Sequence, residues 1–347
     1  MQTSEFDFEL PPELIAQHPT EPRDQARLMV LRRNKGKVQL EHRTFADLPE
    51  YLNPGDLLIR NNSRVLQARL LGEREATGGR WEGLYLASQG QGLWEILATT
   101  RGRPQPGEFI RVAEGLRLEL IERGAEGRWI VRPTPEGSAL ELLTRFGQIP
   151  LPPYIRKGRA DQADLEDYQT TYAAAPGSVA APTAGLHFTS GLFDKLAERG
   201  VQVADVTLHV GVGTFRPIEA TSIDLHTMHA EWAQVTPETA AAWHAARAAG
   251  KRIVAIGTTS ARTLETVAQV SQSGMEPWQG ETRIYIRPGH VFQGTDALVT
   301  NFHLPKSSLL VLVSALAGVE ATREAYAEAI RRHYRFYSYG DAMLVID

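Results

Sequence analysis

The stretch from residue 57 to residue 133 restricts the fold more than any other part of the chain. It consists of short segments in which apolar and polar residues alternate, separated by Gly, Pro and Asn turns, as in LLIRNNSRVLQARLLG, GRWEGLYLAS and GRWIVRP. Alternation with a period of two is typical of strands with one buried face, and many such strands at short spacing are typical of a small antiparallel barrel. We therefore predict a β-barrel in this part of the chain.

The rest of the chain shows a different pattern, in which helical and strand-like segments alternate. From about residue 190, GLFDKLAERG ends at Gly200 before VQVADVTLHVG, and PETAAAWHAARAAG ends at Gly250 before KRIVAIGT. Glycine is common just past a helix end, and Thr236-Pro237 is a typical helix start. Because the opening fifty-odd residues show a similar mixture, we predict a discontinuous α/β domain, residues 1–60 and 151–347, interrupted by an antiparallel β-barrel domain at residues 61–150.

The composition is that of a globular protein, and it excludes some kinds of site. With 347 residues, 42% of them hydrophobic, the chain can bury a sizeable core. It has no cysteine, which excludes disulfides, thiolate zinc sites and iron–sulfur chemistry. The first residues, MQTSEFDFELPPELIAQ, carry acids where a secretory signal carries basic residues, so we expect a cytoplasmic protein. A net charge of −4 argues against broad coating of nucleic acid but leaves room for a local basic patch.

The segment TNFHLPKSSLLVLVSALAG, residues 300–318, joins polar residues to an apolar run. A membrane-spanning helix needs about 20 apolar residues, and this run is half as long and contains a serine. We predict a buried helix that has Ser307 or Ser308 as its N-cap and Gly318 as its C-cap, preceded by a strand in ALVTNFHLP. The polar residues then lie where a strand ends and a helix begins.

Four loops combine small residues with polar side chains at predicted strand ends. They are APTAGLHFT (181–189), LHVGVGTFRP (208–217), IGTTSARTLE (256–265) and TNFHLPKSS (300–308). None of them matches a phosphate-binding signature, and each alone also fits a structural loop. Because the carboxyl ends of parallel strands meet at one edge of a sheet, we expect the four loops to converge on a ligand site.

The segment HTMHAEW, from His226 to Trp232, offers two histidines and a glutamate to a metal ion. Its spacing differs from the HExxH helix pattern, and residues spaced along a strand need not face the same way. A structural or catalytic role for His229 and Glu231 is therefore the favoured interpretation.

Several motifs together resemble one known family. They are FDFELPPELIAQHP and DQARLMV near the start, DLLIRNNSRVLQARLLG before the predicted barrel, YQTTYA before APTAGLHFT, and YSYGDAMLV near the end. With the four loops, they closely resemble the S-adenosylmethionine:tRNA ribosyltransferase-isomerase family of queuosine biosynthesis over essentially the whole chain. The resemblance implies an enzyme that transfers and isomerises the ribosyl group of S-adenosylmethionine onto 7-aminomethyl-7-deazaguanine at the tRNA wobble position. The products would be epoxyqueuosine-tRNA, adenine and methionine.

The implied reaction needs a base that takes a proton from the ribose 5′ carbon beside the sulfonium, and an acid that assists the departure of adenine. Imidazole works in both roles near neutral pH, and a carboxylate can act as base or pair with the sulfonium. The candidate catalytic residues are His187, His209, His229, Glu231 and His303. The sequence alone does not show which of them is the base.

The implied substrate also needs groups that bind its methionine carboxylate and its ribose hydroxyls. Lys306 or Arg262 could clamp the carboxylate, while threonine and serine hydroxyls could bond the ribose. The candidate substrate-binding residues are Thr183, Gly185, Gly211, Gly213, Thr214, Thr258, Thr259, Ser260, Arg262, Asn301 and Lys306. We expect His187 and Lys306 to lie on ligand loops outside the core.

Two basic segments, IRKGR and IRRHYRFYSY, are candidates for contact with tRNA. RNA is recognised in sequence-specific fashion where bases can be splayed out of a loop, so the expected partner is an anticodon loop that carries the modified wobble base. The candidate RNA-binding residues are Arg156, Lys157, Arg159, Arg331, Arg332 and Arg335. Solvated surface charges are the alternative interpretation. We expect a monomer that needs no metal and no cofactor beyond the consumed S-adenosylmethionine.

Two other classes of function stay open at this point. A non-enzymatic tRNA-binding or maturation protein could use the same fold, and a nucleoside-cleaving hydrolase could use the same loops. Adenine release from S-adenosylmethionine separates them, because the hydrolase would release adenine without tRNA and the binding protein would release none.

Overall fold

A computed structural model describes residues 1–34, 37–211, 213, 217–271 and 274–347. The chain forms a nine-stranded mixed sheet with helices and, apart from it, a closed barrel of six antiparallel strands. The predicted fold class, mixed α/β with a small antiparallel barrel, is confirmed. Within the described part of the chain, no helix combines the length and the apolar character needed to cross a bilayer.

The first ten strands run from the N-terminus through the barrel: β1 (Arg27–Asn34), β2 (Lys37–Thr44), β3 (Leu57–Asn61), β4 (Ser63–Val65), β5 (Arg69–Arg74), β6 (Arg80–Ser88), β7 (Trp94–Thr100), β8 (Phe109–Ala113), β9 (Leu116–Arg123) and β10 (Arg128–Thr134). The others are β11 (Ala175–Ser178), β12 (Gln202–Leu208), β13 (Glu231–Val235), β14 (Ile253–Ile256), β15 (Trp278–Thr282), β16 (Ala297–Asn301) and β17 (Ala342–Ile346). The α-helices are α1 (Ala139–Phe146), α2 (Asp164–Asp167), α3 (Ser190–Glu198), α4 (Pro237–Ala248), α5 (Gly257–Val270), α6 (Ser308–Ala317) and α7 (Val319–Arg331).

The strand order of the large sheet brings the predicted loops to one edge. The order is β15-β13-β12-β3-β14-β16-β17-β1-β2, and β12, β3, β14 and β16 run parallel to one another. Their carboxyl ends therefore lie side by side. β13 and β17 run antiparallel to their neighbours β12 and β16, so both strands begin at this same edge.

The central strand β3 shows how the sheet separates two cores. Leu57 and Ile59 pack into one core and Leu58 packs into the other, because successive side chains of a strand point to opposite faces. The first core includes residues of α4, α5, α6 and α7, and the second includes residues of α3. The sheet is thus buried on both sides, which leaves its edge of strand ends as the place where polar groups can gather.

The closed barrel consists of β5 to β10 and has a hydrophobic core of its own. Its strands span residues 69–134, inside the predicted insert, and Leu142 and Leu143 of α1 pack into the same core. The short strand β4 precedes the barrel in sequence and pairs with β11, which follows well after it. The boundaries at residues 60 and 151 stay a prediction.

The predicted helix ends agree with the structure. Ser307, and not Ser308, is the N-cap of α6, where its Oγ accepts a hydrogen bond from the Leu310 N–H at 3.1 Å. Thr236 caps α4 in the same way, through the Thr239 N–H at 3.3 Å. Gly318 follows α6 with φ 93°, a conformation that favours glycine.

Candidate functional site

The carboxyl ends of the parallel strands surround a small cavity, here called the strand-end cavity. Each of the four predicted loops contributes to its wall, so the expected convergence is present in the fold. The cavity has about 360 Å³ of unoccupied space, including its mouth. Its lining residues are Ala181, Pro182, Thr183, Ala184, Val210, Gly257, Thr258, Thr259, Thr300, Asn301, His303 and Leu309.

A second cavity, the tyrosine cavity, adjoins the first and has about 350 Å³ of unoccupied space including its mouth. It shares four lining residues with the strand-end cavity, which are Thr183, Asn301, His303 and Leu309. Its other lining residues are Tyr154, Leu304, Ser307, Tyr337 and Ser338. The Tyr154 and Tyr337 rings contact each other with centroids 4.6 Å apart. The pair of cavities therefore joins a hydroxyl-rich end to an aromatic end.

Asn301 is held from several sides between the two cavities. Thr183 Oγ1 donates a hydrogen bond to Asn301 Oδ1 at 2.7 Å. Asn301 Nδ2 donates to the Tyr337 carbonyl at 3.3 Å and contacts His187 Nε2 at 3.2 Å. Because Oδ1 already accepts from Thr183, the amide nitrogen faces the histidine, and His187 Nε2 acts as the acceptor. The Asn301 side chain is therefore fixed in one orientation.

His187 lies behind Asn301 and lines neither cavity. Its ring packs against Phe45 with centroids 4.9 Å apart, and the residue is only 4% exposed. Burial, with smaller contributions from Arg335 and Arg23, lowers the pKa of His187 to about 3. The expectation that His187 lies outside the core is wrong, because Phe45 from the segment before β3 covers its ring. This placement suits a residue that positions Asn301 better than one that touches a ligand.

His303 is the candidate histidine that lines both cavities. Its Nε2 lies 2.7 Å from Thr300 Oγ1, and its backbone N–H donates to the Tyr326 hydroxyl at 2.9 Å. Burial lowers the pKa of His303 to about 3, so the ring is neutral at neutral pH. The neutral imidazole can therefore act as a general base in the cavities. It can act as a general acid only after it has taken up a proton.

The start of α5 forms one wall of the strand-end cavity. Gly257 has φ 86°, in the left-handed region that favours glycine, and Thr258 and Thr259 follow it. Ser260 lies outside the lining residues because its Oγ donates to the Ile256 carbonyl at 2.8 Å, one turn earlier in the helix. Of these predicted binding residues, the two threonines are thus at the cavity and Ser260 is not.

Glu231 and Arg262 form a buried ion pair at the start of β13. Their side chains are 3% and 2% exposed, and Glu231 Oε1 also accepts the Gly211 N–H at 2.9 Å. Arg262 lines neither the strand-end cavity nor the tyrosine cavity. Its Nε and Nη2 have no hydrogen-bond partner among the residues that the structure describes. The pair therefore links β13, α5 and the loop after β12, and Arg262 is not placed to clamp a group in either cavity.

A wider cleft, the interdomain cleft, lies between the barrel and the sheet edge. It encloses about 1020 Å³ including open space. Its lining residues are Leu86, Arg128, Gly177, Val179, His209, Val210, Gly211, Gly213, His229, Ala230, Glu231 and Trp232. Val210 lines both this cleft and the strand-end cavity, so the two spaces meet at this residue.

Aromatic rings form one wall of the interdomain cleft. His209 stacks on Trp232 with centroids 5.1 Å apart, and its Nδ1 lies 2.8 Å from Ser63 Oγ. Burial lowers the pKa of His209. His229 is exposed, and a Cβ added to Gly213 would meet its ring at 2.1 Å, so Gly213 is required for their close packing. Two of the candidate histidines therefore belong to this cleft and not to the strand-end cavity.

Two other predicted binding residues, Lys306 and Gly185, lie away from both cavities. Lys306 Nζ pairs with Asp7 Oδ2 at 2.7 Å, and Lys306 lines neither cavity. Gly185 lies beneath Tyr172, whose hydroxyl would be 2.0 Å from an added Cβ, so its role in the structure is close packing. Thr214 lies outside the described residues.

The candidate RNA-binding residues differ in how far their charges are already paired. Arg156 pairs with the buried Asp164. Lys157 and Arg159 are exposed. The remaining arginines are Arg331 and Arg332, which both pair with Glu328, and Arg335, which donates to the His18 carbonyl at 3.2 Å. Lys157 and Arg159 are therefore the members of the set that are best placed to meet a phosphate.

Several lining residues escaped the sequence-based prediction. The aromatic residues Tyr154, Tyr337 and Trp232 line the cavities, and so do Val210 and Leu309. Tyr337 stands in the YSYGDAMLV motif that carries the resemblance, whereas Tyr154 lies in the proline-rich segment after the predicted barrel, outside the motifs quoted for it. Within the described residues, no group of three or more His, Asp or Glu is arranged to hold a metal ion.

Comparison with known proteins identifies relatives over the full length of the chain. The family model described as queuosine biosynthesis protein matches residues 3–345. Proteins named S-adenosylmethionine:tRNA ribosyltransferase-isomerase from Symbiobacterium thermophilum and Thermotoga maritima are 52% and 48% identical, with 100% of each chain covered. The crystal structure of S-adenosylmethionine tRNA ribosyltransferase from Thermotoga maritima is 40% identical, covers 99% of this chain and 100% of its own, and has a TM-score of 0.57.

Proposed function

Because the chain belongs to the queuosine biosynthesis protein family, we propose that it is an S-adenosylmethionine:tRNA ribosyltransferase-isomerase. It transfers and isomerises the ribosyl group of S-adenosylmethionine onto 7-aminomethyl-7-deazaguanine at the tRNA wobble position, and it releases adenine and methionine. The observation that carries the proposal is the pair of cavities at the strand ends, where all four polar loops of the sequence meet.

The two cavities together suit S-adenosylmethionine. Each encloses about 350 Å³ only when its open mouth is included, so the match lies in the chemical groups of the walls and not in the volume. The strand-end cavity offers hydroxyls and helix N–H groups, whereas Tyr154 and Tyr337 offer aromatic faces. Aromatic faces stack on a base or attract a sulfonium. The reacting ribose then lies beside Asn301 and His303, which both cavities share.

His303 is the candidate that the geometry favours as the base. The sulfonium acidifies the ribose 5′ carbon, which can then release a proton. The neutral His303 imidazole lines both cavities, where it can accept that proton, although a pKa of about 3 makes it a weak base. A proton on a group whose pKa is about 3 is given up readily, so the same ring can pass it to the departing adenine. We expect His303→Gln to lower kcat by at least about 100-fold and to change the KM for S-adenosylmethionine little. An unchanged kcat would remove His303 from this role.

The interdomain cleft is the proposed entry for the wobble base. It adjoins the strand-end cavity through Val210, and the stacked rings of His209 and Trp232 can take a base that has been turned out of an anticodon loop. Trp232 of β13 and Arg128 of β10 both line this cleft, so the sheet and the barrel each contribute to its wall. The barrel thereby helps to form the site.

Adenine release tests the substrate assignment directly. The purified chain is incubated with S-adenosylmethionine and tRNA that carries the modified wobble base, with unmodified tRNA, with the free base, or with no RNA. We expect adenine only with the modified tRNA at an appreciable rate. Equal release without tRNA would support a nucleoside hydrolase, and no release under any condition would support a tRNA-binding protein.

Exposed basic residues are proposed to bind the tRNA backbone. Because the net charge is −4, binding must depend on a local patch, for which Lys157 and Arg159 are the best-placed members. Removing one phosphate contact flattens the log–log dependence of affinity on salt by a little under one unit. We expect Lys157→Ala and Arg159→Ala to show this change. Arg331→Ala serves as the matched control because Glu328 already pairs with that arginine.

We also propose that the reaction needs no metal and no added cofactor. The proposal is supported by the polar chemistry that the substrate itself supplies through its sulfonium. Turnover should therefore survive dialysis against a chelator. Activity that is lost to the chelator and restored by one divalent ion would contradict it.

A further inference from the structure

The helix α5 begins at the strand-end cavity without a side-chain cap. Thr189, Thr236 and Ser307 each cap their helices with a hydroxyl, whereas the N-cap of α5 is Ile256, which has no such group. The first N–H groups of a helix carry partial positive charge and need acceptors. At the start of α5 the adjoining space is the cavity, so a ligand is in position to supply the acceptor.

The hydroxyl of Thr259 is a second, independent sign of a missing acceptor. Thr259 is 7% exposed, and its Oγ1 has no hydrogen-bond partner in the described part of the chain. A Cβ added to Gly257 would lie 3.6 Å from this Oγ1 and 3.6 Å from Ala184 Cβ. The hydroxyl is thus directed to the start of the helix, among residues that all line the cavity.

Other hydroxyls of the same helix behave differently. Ser260, Thr263 and Thr266 each donate to the carbonyl one turn earlier, at 2.8, 2.9 and 2.7 Å. Such bonds satisfy a hydroxyl within its own helix. Thr259 therefore differs from these three residues, and Thr263 offers a matched control in the same helix.

The charges around the cavity favour an anion at this position. No Asp, Glu, Lys or Arg occurs among the described residues that line it, and His303 is neutral because burial holds its pKa at about 3. The positive end of α5 then dominates the local field, which attracts a carboxylate and repels a sulfonium or an ammonium group. S-adenosylmethionine carries one carboxylate and two cationic groups.

We propose that the start of α5 is the subsite for the methionine carboxylate of S-adenosylmethionine, bound by the first-turn N–H groups and the Thr259 hydroxyl. The proposal rests on the proposed function and fixes the direction in which the substrate lies. Its carboxylate end occupies the strand-end cavity, its sulfonium and ribose lie beside Asn301 and His303, and its adenine extends to Tyr154 and Tyr337. In this arrangement Thr259 binds the methionine carboxylate, the role for which the sequence had suggested Lys306 or Arg262.

The test compares S-adenosylmethionine with its decarboxylated form, which keeps the sulfonium and the amine. Initial rates of adenine release at saturating modified tRNA give the KM for the first compound and the inhibition constant of the second. In the unsubstituted chain we expect the decarboxylated compound to bind at least about tenfold more weakly, since a charge-assisted hydrogen bond is lost.

The variant Thr259→Val removes the hydroxyl and keeps the shape. It should raise the KM for S-adenosylmethionine about five- to tenfold and leave the inhibition constant of the decarboxylated compound unchanged. Thr259→Ser should restore the KM, and Thr263→Val should leave both constants unchanged. The thermal midpoint of each variant establishes that it is folded.

Equal affinity of the unsubstituted chain for both compounds would overturn the subsite, and so would a loss in Thr259→Val that affects both compounds equally. Either result would leave the proposed function intact, because adenine would still be released. Absence of adenine release from the unsubstituted chain would instead overturn the proposed function, and the subsite with it.

Discussion

At the scale of single residues, Asn301 is the side chain on which most of the site geometry depends. It is 2% exposed, it contacts Thr183 and His187, and it lines both cavities. The variant Asn301→Leu removes these bonds and takes this partner from the buried His187 Nε2 and from the partly buried Thr183 hydroxyl. We expect it to lower the free energy of unfolding by about 2 kcal/mol or more and to reduce turnover even where the chain is fully folded.

Urea unfolding and adenine release measure the two effects of Asn301→Leu. Thr183→Val is the control, because it removes one bond of the network and keeps the amide. It should cost about 1 kcal/mol. If Asn301→Leu left both stability and turnover as they are, the network would have no part in either.

The buried histidines give stability a pH dependence. Burial lowers the pKa of His303 and of His187 to about 3, from 6.5 in an exposed histidine. Between these values the unfolded chain binds more protons than the folded chain, so stability rises with pH and is lost as the pH falls below about 6.5. Each histidine should contribute a slope of about 1.4 kcal/mol for each pH unit between about pH 6 and pH 3.

The contribution of one histidine is measured by difference, since carboxylates also lower stability in acid. Unfolding free energies of the unsubstituted chain and of His303→Gln are compared from pH 7 to pH 4.5. The slope of the variant should be smaller by roughly the contribution of one group. Parallel curves would mean that His303 is protonated in the folded chain.

The sequence identified the loop histidines, but it could not tell which of them faces a ligand. His187 and His303 stand in loops of similar composition, yet the ring of His187 is covered by Phe45 and that of His303 lines a cavity. Phe45 is remote in sequence, so only the folded arrangement decides between a positioning residue and a candidate base.

At the scale of elements, the ion pair of Glu231 and Arg262 joins the start of β13 to α5. Both side chains are almost fully buried. Removing one charge of a buried pair leaves the other uncompensated, which costs about 3–5 kcal/mol. We therefore expect Glu231→Gln and Arg262→Met each to lower the free energy of unfolding by this amount.

A double-mutant cycle separates the pair from its surroundings. The chain with both substitutions should be more stable than the sum of the single effects implies, because no isolated charge is left. Strictly additive losses, measured by urea unfolding of the four chains, would show that the two residues do not depend on each other.

Helix ends were predictable because their causes are local. Ser307, Thr236 and Gly318 act within one turn of the residues that they cap, and the sequence shows them together. The start of α5 was not predictable in the same way. Its proposed role in ligand binding depends on the lack of a side-chain cap and on the strand-end cavity, which loops distant in sequence form together.

At the scale of the whole molecule, the barrel and the sheet have separate cores and share one cleft. Trp94 lies in the barrel core, is 1% exposed and contacts Tyr85 edge to face. We expect Trp94→Ala to lower the free energy of unfolding by about 3–5 kcal/mol. The KM for S-adenosylmethionine should stay within about twofold, because neither the strand-end cavity nor the tyrosine cavity is lined by a barrel residue.

Phe302→Ala is the matched control in the sheet core. It should be similarly destabilising, but it should also raise the KM for S-adenosylmethionine because Phe302 lies between Asn301 and His303. Unfolding curves and adenine-release kinetics at a temperature where both variants are folded give the comparison. A large rise of the KM in Trp94→Ala would show that the barrel shapes the strand-end cavity.

Alternation and turns were sufficient to predict the barrel, since strands that are neighbours in sequence pair with one another there. The strand order of the large sheet could not be predicted from the sequence. β3 lies between β12 and β14, and these pairings join segments that are far apart in the chain. Local patterns contain no information about such partners.

The last strand completes the sheet that the first strand begins, and this order has a consequence for how the protein is made. β17 lies between β16 and β1, and about 300 residues separate it from β1. At a synthesis rate of roughly 5–20 residues per second, the β1–β2 hairpin waits for on the order of 15–60 s on the ribosome before its partner has been made. Unpaired strand edges join readily with other chains. The edge of β1 that β17 later covers therefore stays open to pairing with other chains during this time.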